Sequence, residues 1–451
     1  MKQRFFYLVL PLIALFAFGS CNSQVEMEDI VVDNEKSFSE SATFKVSENE
    51  AKEILNAFVV NFDVNSSSAT STRGASKRLI KDVQALRVDK EEVKTYASDA
   101  GADMELYVNI DTMMYLINFE NDEGFALVSA DKRTTPVLAI IDKGSISVDA
   151  LSRGDNLNPG FLIFLELAVN LQLNEIATSR EKKSSEQNSP NMVGTRATTL
   201  IDIPARLKTR WGQSSPYNTY CPNLYPTGCV ITATAQALSH FQTIGSVQWS
   251  YNGTYGSSVL TWNQIIADSE NALGGYGRLN SSYFPTSSNQ VAHLMRFLGI
   301  ALNASYSSSG TGAKTSDAVK YLKNWCGLSS SSGVNSYNIS NVRNGLLNSS
   351  TSLVITSAYA TKKKILGITV GYTDGHSWIL DGAKQIYYSS NDIKDYVHCN
   401  WGWSGTCDGF FISDGFDTSV NPPILGPNDL GGTRPENFKF VNENEYAILN
   451  Y

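Results

Sequence analysis

The sequence predicts an α+β protein in which two folded stretches are separated by a polar linker, and three observations carry that prediction. Residues 44–178 hold a capped amphipathic helix, several short strand-like runs and one strongly apolar helix. Residues 179–197 contain almost nothing that could anchor a core. From Ile203 to the end the chain is rich in Gly, Ser, Asn and aromatic residues, with many short strand-like runs and few helices. At 451 residues the chain is too long for one ordinary core. Its 42% hydrophobic and 18% charged residues are the balance of a globular protein. The formal charge is −8 with Lys and Arg interspersed among acids, which argues against a nucleic-acid partner.

The elements follow in order. Lys2 and Arg4 precede an apolar run over 5–18 and then Gly19-Ser20-Cys21, the pattern of a secretory signal over 1–20. Small residues before a Cys resemble a bacterial lipoprotein box, with Cys21 as the lipidated residue and membrane anchor. Ordinary cleavage leaving a free Cys21 is the alternative. Residues 21–43 read as a tether, and no later segment reads as long and apolar enough to cross a bilayer. Ser47-Glu48-Asn49-Glu50 is a capping box, and Ala51, Ile54, Leu55, Phe58 and Val59 follow at helical spacing. Residues 64–77 are loop-like. Strands are expected near 106–110, 113–119, 125–129 and 137–141, then an apolar helix from Pro159 to about Ile176. The linker over 179–202 is either a passive hinge or a maturation site, with Lys182, Lys183 and Arg196 beside the candidate cuts. A terminal strand is expected near 446–449.

The chemistry gathers around Cys229. Pro226 and Gly228 end one element, and an Ala-rich segment (Ala233, Ala235, Ala237) opens behind Cys229, as in a closely packed buried helix. A cysteine at a helix N-terminus meets backbone N–H groups and the positive end of the dipole, which is expected to lower its pKa toward the nucleophilic thiolate. An inert buried thiol is the other reading. A thiolate needs an acid–base partner, and the chain has four histidines. His240 falls at the far end of the helix, and His293 lies on a helix whose apolar stripe is Val291, Leu294, Met295 and Leu298 and points elsewhere. His376 stands in Asp374-Gly375-His376-Ser377-Trp378, where a Gly turn opens an apolar strand. His398 precedes Cys399-Asn400-Trp401-Gly402-Trp403-Ser404-Gly405, whose rings and bare backbone suit a water-excluding wall with a polar group to orient an imidazole. A Trp-rich strand–turn of the core is the bland alternative. The six cysteines (Cys21, Cys221, Cys229, Cys326, Cys399, Cys407) include a pair, Cys399 and Cys407, close enough for a local bridge, though spacing does not fix connectivity.

Three motifs together resemble the streptopain family of papain-fold bacterial cysteine peptidases. They are Thr227-Gly228-Cys229-Val230-Ile231-Thr232-Ala233-Thr234-Ala235-Gln236, Gly375-His376-Ser377-Trp378-Ile379-Leu380-Asp381-Gly382 and Asn400-Trp401-Gly402-Trp403-Ser404-Gly405. Trp211-Gly212-Gln213-Ser214-Ser215-Pro216 is similar to the segment that family carries before its nucleophile, and Gly124-Phe125-Ala126-Leu127-Val128-Ser129-Ala130-Asp131 to its propeptide. The resemblance implies a papain-like catalytic domain over 203–451, preceded by a smaller α+β inhibitory propeptide domain over 44–178. It implies a cysteine endopeptidase made as a zymogen, acting on proteins or peptides, restrained by its own propeptide and needing neither cofactor nor metal. Cys229 and His376 become the catalytic pair, Gln213 the oxyanion donor, and either Asn400 or Trp401 the support of His376. The chain departs from the family pattern in Cys221, Cys399 and Cys407, and in a C-terminal glycine loop reduced to Gly426 and Gly431-Gly432.

Other chemistries fit less well. No G-x-S-x-G supports a serine hydrolase, and no His precedes a Glu as a zincin requires. Gly310-Thr311-Gly312-Ala313-Lys314-Thr315 echoes a P-loop but lacks the adjacent Gly-Lys. His398 with Cys399 and Cys407 is poorly spaced for zinc. A papain-fold acyl-transfer enzyme or cell-wall amidase is the nearest alternative, and a non-enzymatic surface lipoprotein the alternative from another class. The expected location is the cell envelope, lipid-anchored, or the medium after maturation.

Overall fold

Ser47 sets where the first helix begins. Its Oγ accepts from the Glu50 N–H at 3.3 Å while the Glu50 carboxylate accepts from the Ser47 N–H at 2.8 Å. The computed structural model describes residues 44–63, 78–99, 103–107, 109–153, 157–185, 197–272, 277–330, 333–360, 364–365, 368–369, 373–389, 392–417, 419–421 and 445–450. The expected leader, Cys21, the tether, the loop over 64–77, Arg196 and the glycines Gly426, Gly431 and Gly432 lie outside the described residues.

The N-terminal half is α1 (Glu48–Asp63), β1 (Ile80–Arg87), α2 (Lys90–Asp99), β2 (Thr112–Phe119), β3 (Phe125–Ser129), β4 (Val137–Ile141), α3 (Val148–Arg153) and α4 (Pro159–Ser185). Strands β2 to β4 are buried on both faces, which is why they read as continuous apolar runs. Ala51, Leu55, Phe58, Val59 and Phe62 form the buried stripe of α1.

The C-terminal half opens with β5 (Thr198–Ile203), then α5 (Cys229–Phe241), the hairpin β6 (Ser246–Tyr251) and β7 (Thr254–Val259), α6 (Trp262–Glu270) and α7 (Pro285–Ala301). It continues with a hairpin of β8 (Ser305–Ser307) and β9 (Gly310–Gly312), α8 (Thr315–Trp325), the short β10 (Ser329–Ser330) and β11 (Asn335–Ser336), and α9 (Ile339–Asn348). The last strands are β12 (Leu353–Ala360), β13 (Lys364–Ile365), β14 (Ile368–Thr369), β15 (Thr373–Ser389), β16 (Asp392–Asn400), β17 (Gly409–Ile412) and β18 (Glu445–Asn450).

The two halves share one sheet, in the order β1-β2-β3-β4-β17-β16-β15-β12-β18-β10, with β5 added on β15 and β11 on β18. The junction is the antiparallel pair β4–β17, which sets Gly409 opposite Ile141, Phe410 opposite Ile140 and Phe411 opposite Ala139. One core spreads along both halves of this sheet. A second lies wholly in the C-terminal half around α5, which packs against β15, α7 and α8.

Several expectations are corrected. The run over 106–110 is no strand. Asp103 caps a one-turn 3₁₀ helix, Met104–Leu106, by accepting from the Glu105 N–H at 3.0 Å, and the Ile110 N–H closes a further turn on the Tyr107 carbonyl. Strand β1 was not expected because its residues alternate charged and apolar without a clear run, as suits its place at the sheet edge. Helix α4 runs past Ile176 to Ser185, so Lys182 and Lys183 belong to it, and β5 occupies the other end of the expected linker; between them lie 186–196. By length and composition its stretch Pro159–Ser179 is apolar enough to cross a membrane. Most of that stretch is instead buried in the core, with Phe161, Ile163, Phe164 and Ile176 fully enclosed. Among the described residues the C-terminal half carries five helices, more than its composition suggests. The expected apolar stripe of Val291, Leu294, Met295 and Leu298 is buried in α7, while its first turns bury the polar Ser287, Ser288 and Gln290, which hydrophobic spacing does not reveal.

Candidate active site

Cys229 is the first residue of α5. Gly228 precedes it with φ +96°, and a Cβ there would lie 2.6 Å from the Thr311 carbonyl of the β8–β9 hairpin, so the turn into the helix requires glycine twice over. Small side chains let α5 sit in the core, where its ten residues from Val230 to Ser239 are all buried. The Cys229 sulfur is met by three backbone N–H groups, those of Ser377, Val230 and Cys229 itself. This differs from the sequence expectation in one respect. The thiol keeps partial exposure, yet burial pushes its pKa above the ordinary cysteine value, and the three N–H groups only offset that rise.

His376 lies one residue from the Ser377 N–H that meets the sulfur. Gly375 holds φ +142° before it, and His376 itself is buried in β15. Its ring stacks 6.1 Å from Trp378 and lies 6.4 Å from both Trp401 and Trp403. The Nε2 is 2.7 Å from the Trp401 carbonyl. A carbonyl only accepts, so Nε2 carries the proton and Nδ1 is the basic nitrogen. Burial lowers the imidazole to about 4, against the opposing pull of that carbonyl. Burial thus disfavours the charged form of both the thiol and the imidazole in the full-length chain.

The two supports expected for His376 separate here. Trp401 contributes its main-chain carbonyl, while its indole Nε1 donates to the Cys407 carbonyl at 2.9 Å. Asn400 turns away, with its Nδ2 on the Thr209 carbonyl at 2.9 Å and its Oδ1 3.0 Å from the Gln236 Nε2. Gln213 is half-buried two residues beyond Trp211, and its carbonyl accepts from the Thr227 N–H at 2.9 Å, which ties its segment to the turn before Cys229.

The remaining histidines sit elsewhere. His240 is eleven residues along α5 from Cys229, about 16 Å at helical rise, and contacts the Thr351 carbonyl. His293 accepts from the Trp249 indole and stacks on Tyr220 at 4.1 Å. His398 reaches Asp381 with Nδ1 at 2.5 Å and Asp142 with Nε2 at 3.1 Å. Burial opposes its charge, but the two carboxylates outweigh it and raise the imidazolium to about 10. Arg210 joins Asp142 at 2.8 Å and approaches Asp408, whose carboxyl burial lifts to about 6. Sequence reading gave His398 no such role, because its partners stand 17 and 256 residues away. Cys221, Cys229, Cys326, Cys399 and Cys407 are all free thiols. Among the described residues no group of three or more His, Cys, Asp or Glu side chains could hold a metal.

Residues 211–411 match the Peptidase C10 family, and residues 43–169 match the Spi protease inhibitor family. Residues 211–411 are a C10-family cysteine peptidase domain. Streptopain of Streptococcus pyogenes is 24% identical over 340 residues, 71% of this chain and 77% of that protein. The thiol protease/hemagglutinin PrtT of Porphyromonas gingivalis is 22% identical over 343 residues, 71% of this chain and 35% of that one. A fragment of Prevotella intermedia prointerpain A superposes with a TM-score of 0.44 at 22% identity, covering 74% of this chain and 94% of that chain. This C10 peptidase is a zymogen in which a Spi-type inhibitor propeptide precedes the peptidase domain. The propeptide region presses close to the catalytic side. A Cβ at Gly160 of α4 would stand 2.1 Å from the Trp401 ring, and Asn158 Nδ2 donates to the Thr406 carbonyl.

Proposed function

We propose that this C10 peptidase is an exported endopeptidase in which Cys229 is the nucleophile and His376 its acid–base partner. The observation that carries the reading is the approach of the Ser377 N–H, next to His376, to a sulfur at the N-terminus of a buried helix. His376 Nδ1 takes the thiol proton, and the Cys229 sulfur attacks the peptide carbonyl. The Gln213 side chain and the Cys229 N–H receive the oxyanion. The tetrahedral species collapses as His376 returns the proton to the leaving amine. Water, deprotonated by His376, then attacks the thioester and releases the second product and the thiol.

The propeptide domain spans 44–178 in this reading, and maturation cuts within 186–196, the stretch between α4 and β5. The strand β5 then stays with the catalytic domain, to which it is hydrogen-bonded through β15. Cys21 carries the lipid that holds the precursor at the cell envelope, with release after maturation.

Paired expression of the leaderless chain and its Cys229→Ala variant tests the reading, followed over time by intact mass and casein hydrolysis. Wild type should lose its N-terminal domain and digest casein while the variant does neither. Casein hydrolysis that survives Cys229→Ala, or a mature N-terminus well outside 186–196, overturns the corresponding part.

A further inference from the structure

Helix α5 carries one long polar side chain that the chemistry above leaves unused. Gln236 stands seven residues beyond Cys229, about 10 Å along the helix, too far to touch the scissile bond, and it is fully buried. Its Oε1 accepts from the Trp211 N–H at 2.9 Å and its Nε2 donates to Asn400 Oδ1 at 3.0 Å. Asn400, also buried, donates from Nδ2 to the Thr209 carbonyl at 2.9 Å, and its Oδ1 accepts a second bond from the Gly402 N–H at 3.3 Å.

Main-chain groups dictate the orientation of both amides. The Trp211 N–H is only a donor, so the Gln236 oxygen faces it. The Thr209 carbonyl is only an acceptor, so the Asn400 nitrogen faces that. The Gln236 nitrogen is then left opposite the Asn400 oxygen, where donor meets acceptor. Turning either amide over would set two donors or two acceptors against each other in a buried site.

The segments joined are the three that hold the reacting groups. Thr209 and Trp211 lead into Gln213. Gly402 and Asn400 flank Trp401, whose carbonyl holds His376. Gln236 belongs to the helix that begins at Cys229. A second tie, from the Ser404 N–H to the Trp211 carbonyl at 3.1 Å, runs parallel to the first.

Resting on the assignment of Cys229 and His376 above, we infer that Gln236 and Asn400 are positioning residues that lock the Gln213 segment and the Trp401 carbonyl in register with the nucleophile helix. Neither touches substrate, so their effect falls on kcat. A misplacement of about 1 Å at such a site costs up to about 10²-fold in rate.

The test uses full-length chains whose propeptide is removed by an added serine protease that is then inhibited. Gln236→Met should lower kcat on the order of 10–10²-fold with KM changed by less than about threefold, while Cys229 still alkylates to one equivalent. In Gln236→Glu the introduced carboxylate offers Asn400 no donor, whereas its protonated form does. Burial raises such a carboxyl, so kcat of this variant should recover as pH falls through a limb absent from wild type. Asn400→Leu combined with Gln236→Met should be no worse than the poorer single variant, since both break one unit. Wild-type kcat in both Gln236 variants across pH, or additive losses in the double variant, overturns the inference. If one Gln236 variant does not fold, the other, paired with Asn400→Leu, decides. Hydrolysis that survives Cys229→Ala in the parallel control would overturn the active-site assignment and this inference with it, and is told apart by that control alone.

Discussion

At Cys229 burial and the helix N-terminus pull in opposite directions, and in the full-length chain burial wins. The thiol is raised above its ordinary value, so its thiolate fraction grows only as pH climbs into the alkaline range. Alkylation of Cys229 in the uncleaved Cys229/His376 protein should therefore be slow at pH 7 and accelerate with pH beyond 9, followed by intact mass. A rate already flat from pH 6 would mean that the ion pair exists before maturation. Gln213 invites a separate measurement. Loss of one oxyanion donor costs about 10²–10³ in rate, so matured Gln213→Ala should be impaired by that factor with the thiol still reactive. Undiminished kcat would remove Gln213 from the mechanism. Cys229, His376 and Gln213 could be singled out as candidates because each sits in a local motif of Gly and Trp residues that survives as a string. Gln236 and the carboxylates around His398 were not. Their meaning lies in partners far away in the chain, although a lone Gln on a helix of small residues was a signal that could have been weighed.

Elements divided along the same line. Strands β2, β3 and β4 and the capped helix α1 were readable because burial imposes an unbroken apolar run or a 3.6-residue stripe. Helix α9 was hidden by Ser and Asn, residues that lower intrinsic helix propensity yet serve as caps, as Asn338 does by accepting from the Asn341 N–H. The pairing of β4 with β17 could not be read at all, because nothing local says which edge a strand will find. That junction rests on Gly409. A Cβ there would lie 2.4 Å from the Ile140 carbonyl and 2.7 Å from the Ile141 Cα, all of it backbone from the N-terminal half. Gly409→Ala should thus weaken the junction by about 1–3 kcal/mol, the range for overpacking, and leave the matured enzyme's kcat within about threefold. Faster hydrogen exchange at the Ile140 and Asp142 amides, whose N–H groups face β17, is the expected readout in the full-length variant. Unchanged exchange there would show that the strands can part slightly without loss.

Across the whole molecule the propeptide meets the catalytic domain through complementary charge as well as through the sheet. Asp142 of the N-terminal half faces His398 and Arg210, Glu175 faces Lys394, and the buried Lys384 ends on the Phe62 carbonyl at the last turn of α1. Acids lie on the propeptide side and bases on the other in the first two pairs, which favours one docked arrangement over others. The Asp142–His398 contact gives this a defined pH signature. His398 is raised from its ordinary 6.5 to about 10, so the stability it contributes is complete below pH 6.5 and is lost as pH rises toward 10. Asp142 is held well below its ordinary 3.8, chiefly by His398 and Arg210 against burial, so its contribution is complete above about pH 4 and lost as acid protonates it. Asp142→Asn removes the charge and keeps the shape. Asp142 is only half-buried while His398 is fully enclosed, so breaking this hydrogen-bonded pair should cost about 1–3 kcal/mol. The melting temperature of the full-length variant should fall furthest below wild type between pH 4 and 6.5. That deficit should shrink toward pH 10 as His398 deprotonates, and toward pH 2 as wild-type Asp142 is neutralised. Arg210 stays charged across this range and also loses its 2.8 Å partner in the variant, so the part of the deficit that Asp142–Arg210 contributes persists at pH 10 and disappears only on the acid side. A deficit that is the same at every pH would show that Asp142 holds the propeptide by packing alone, with its charge irrelevant to the zymogen.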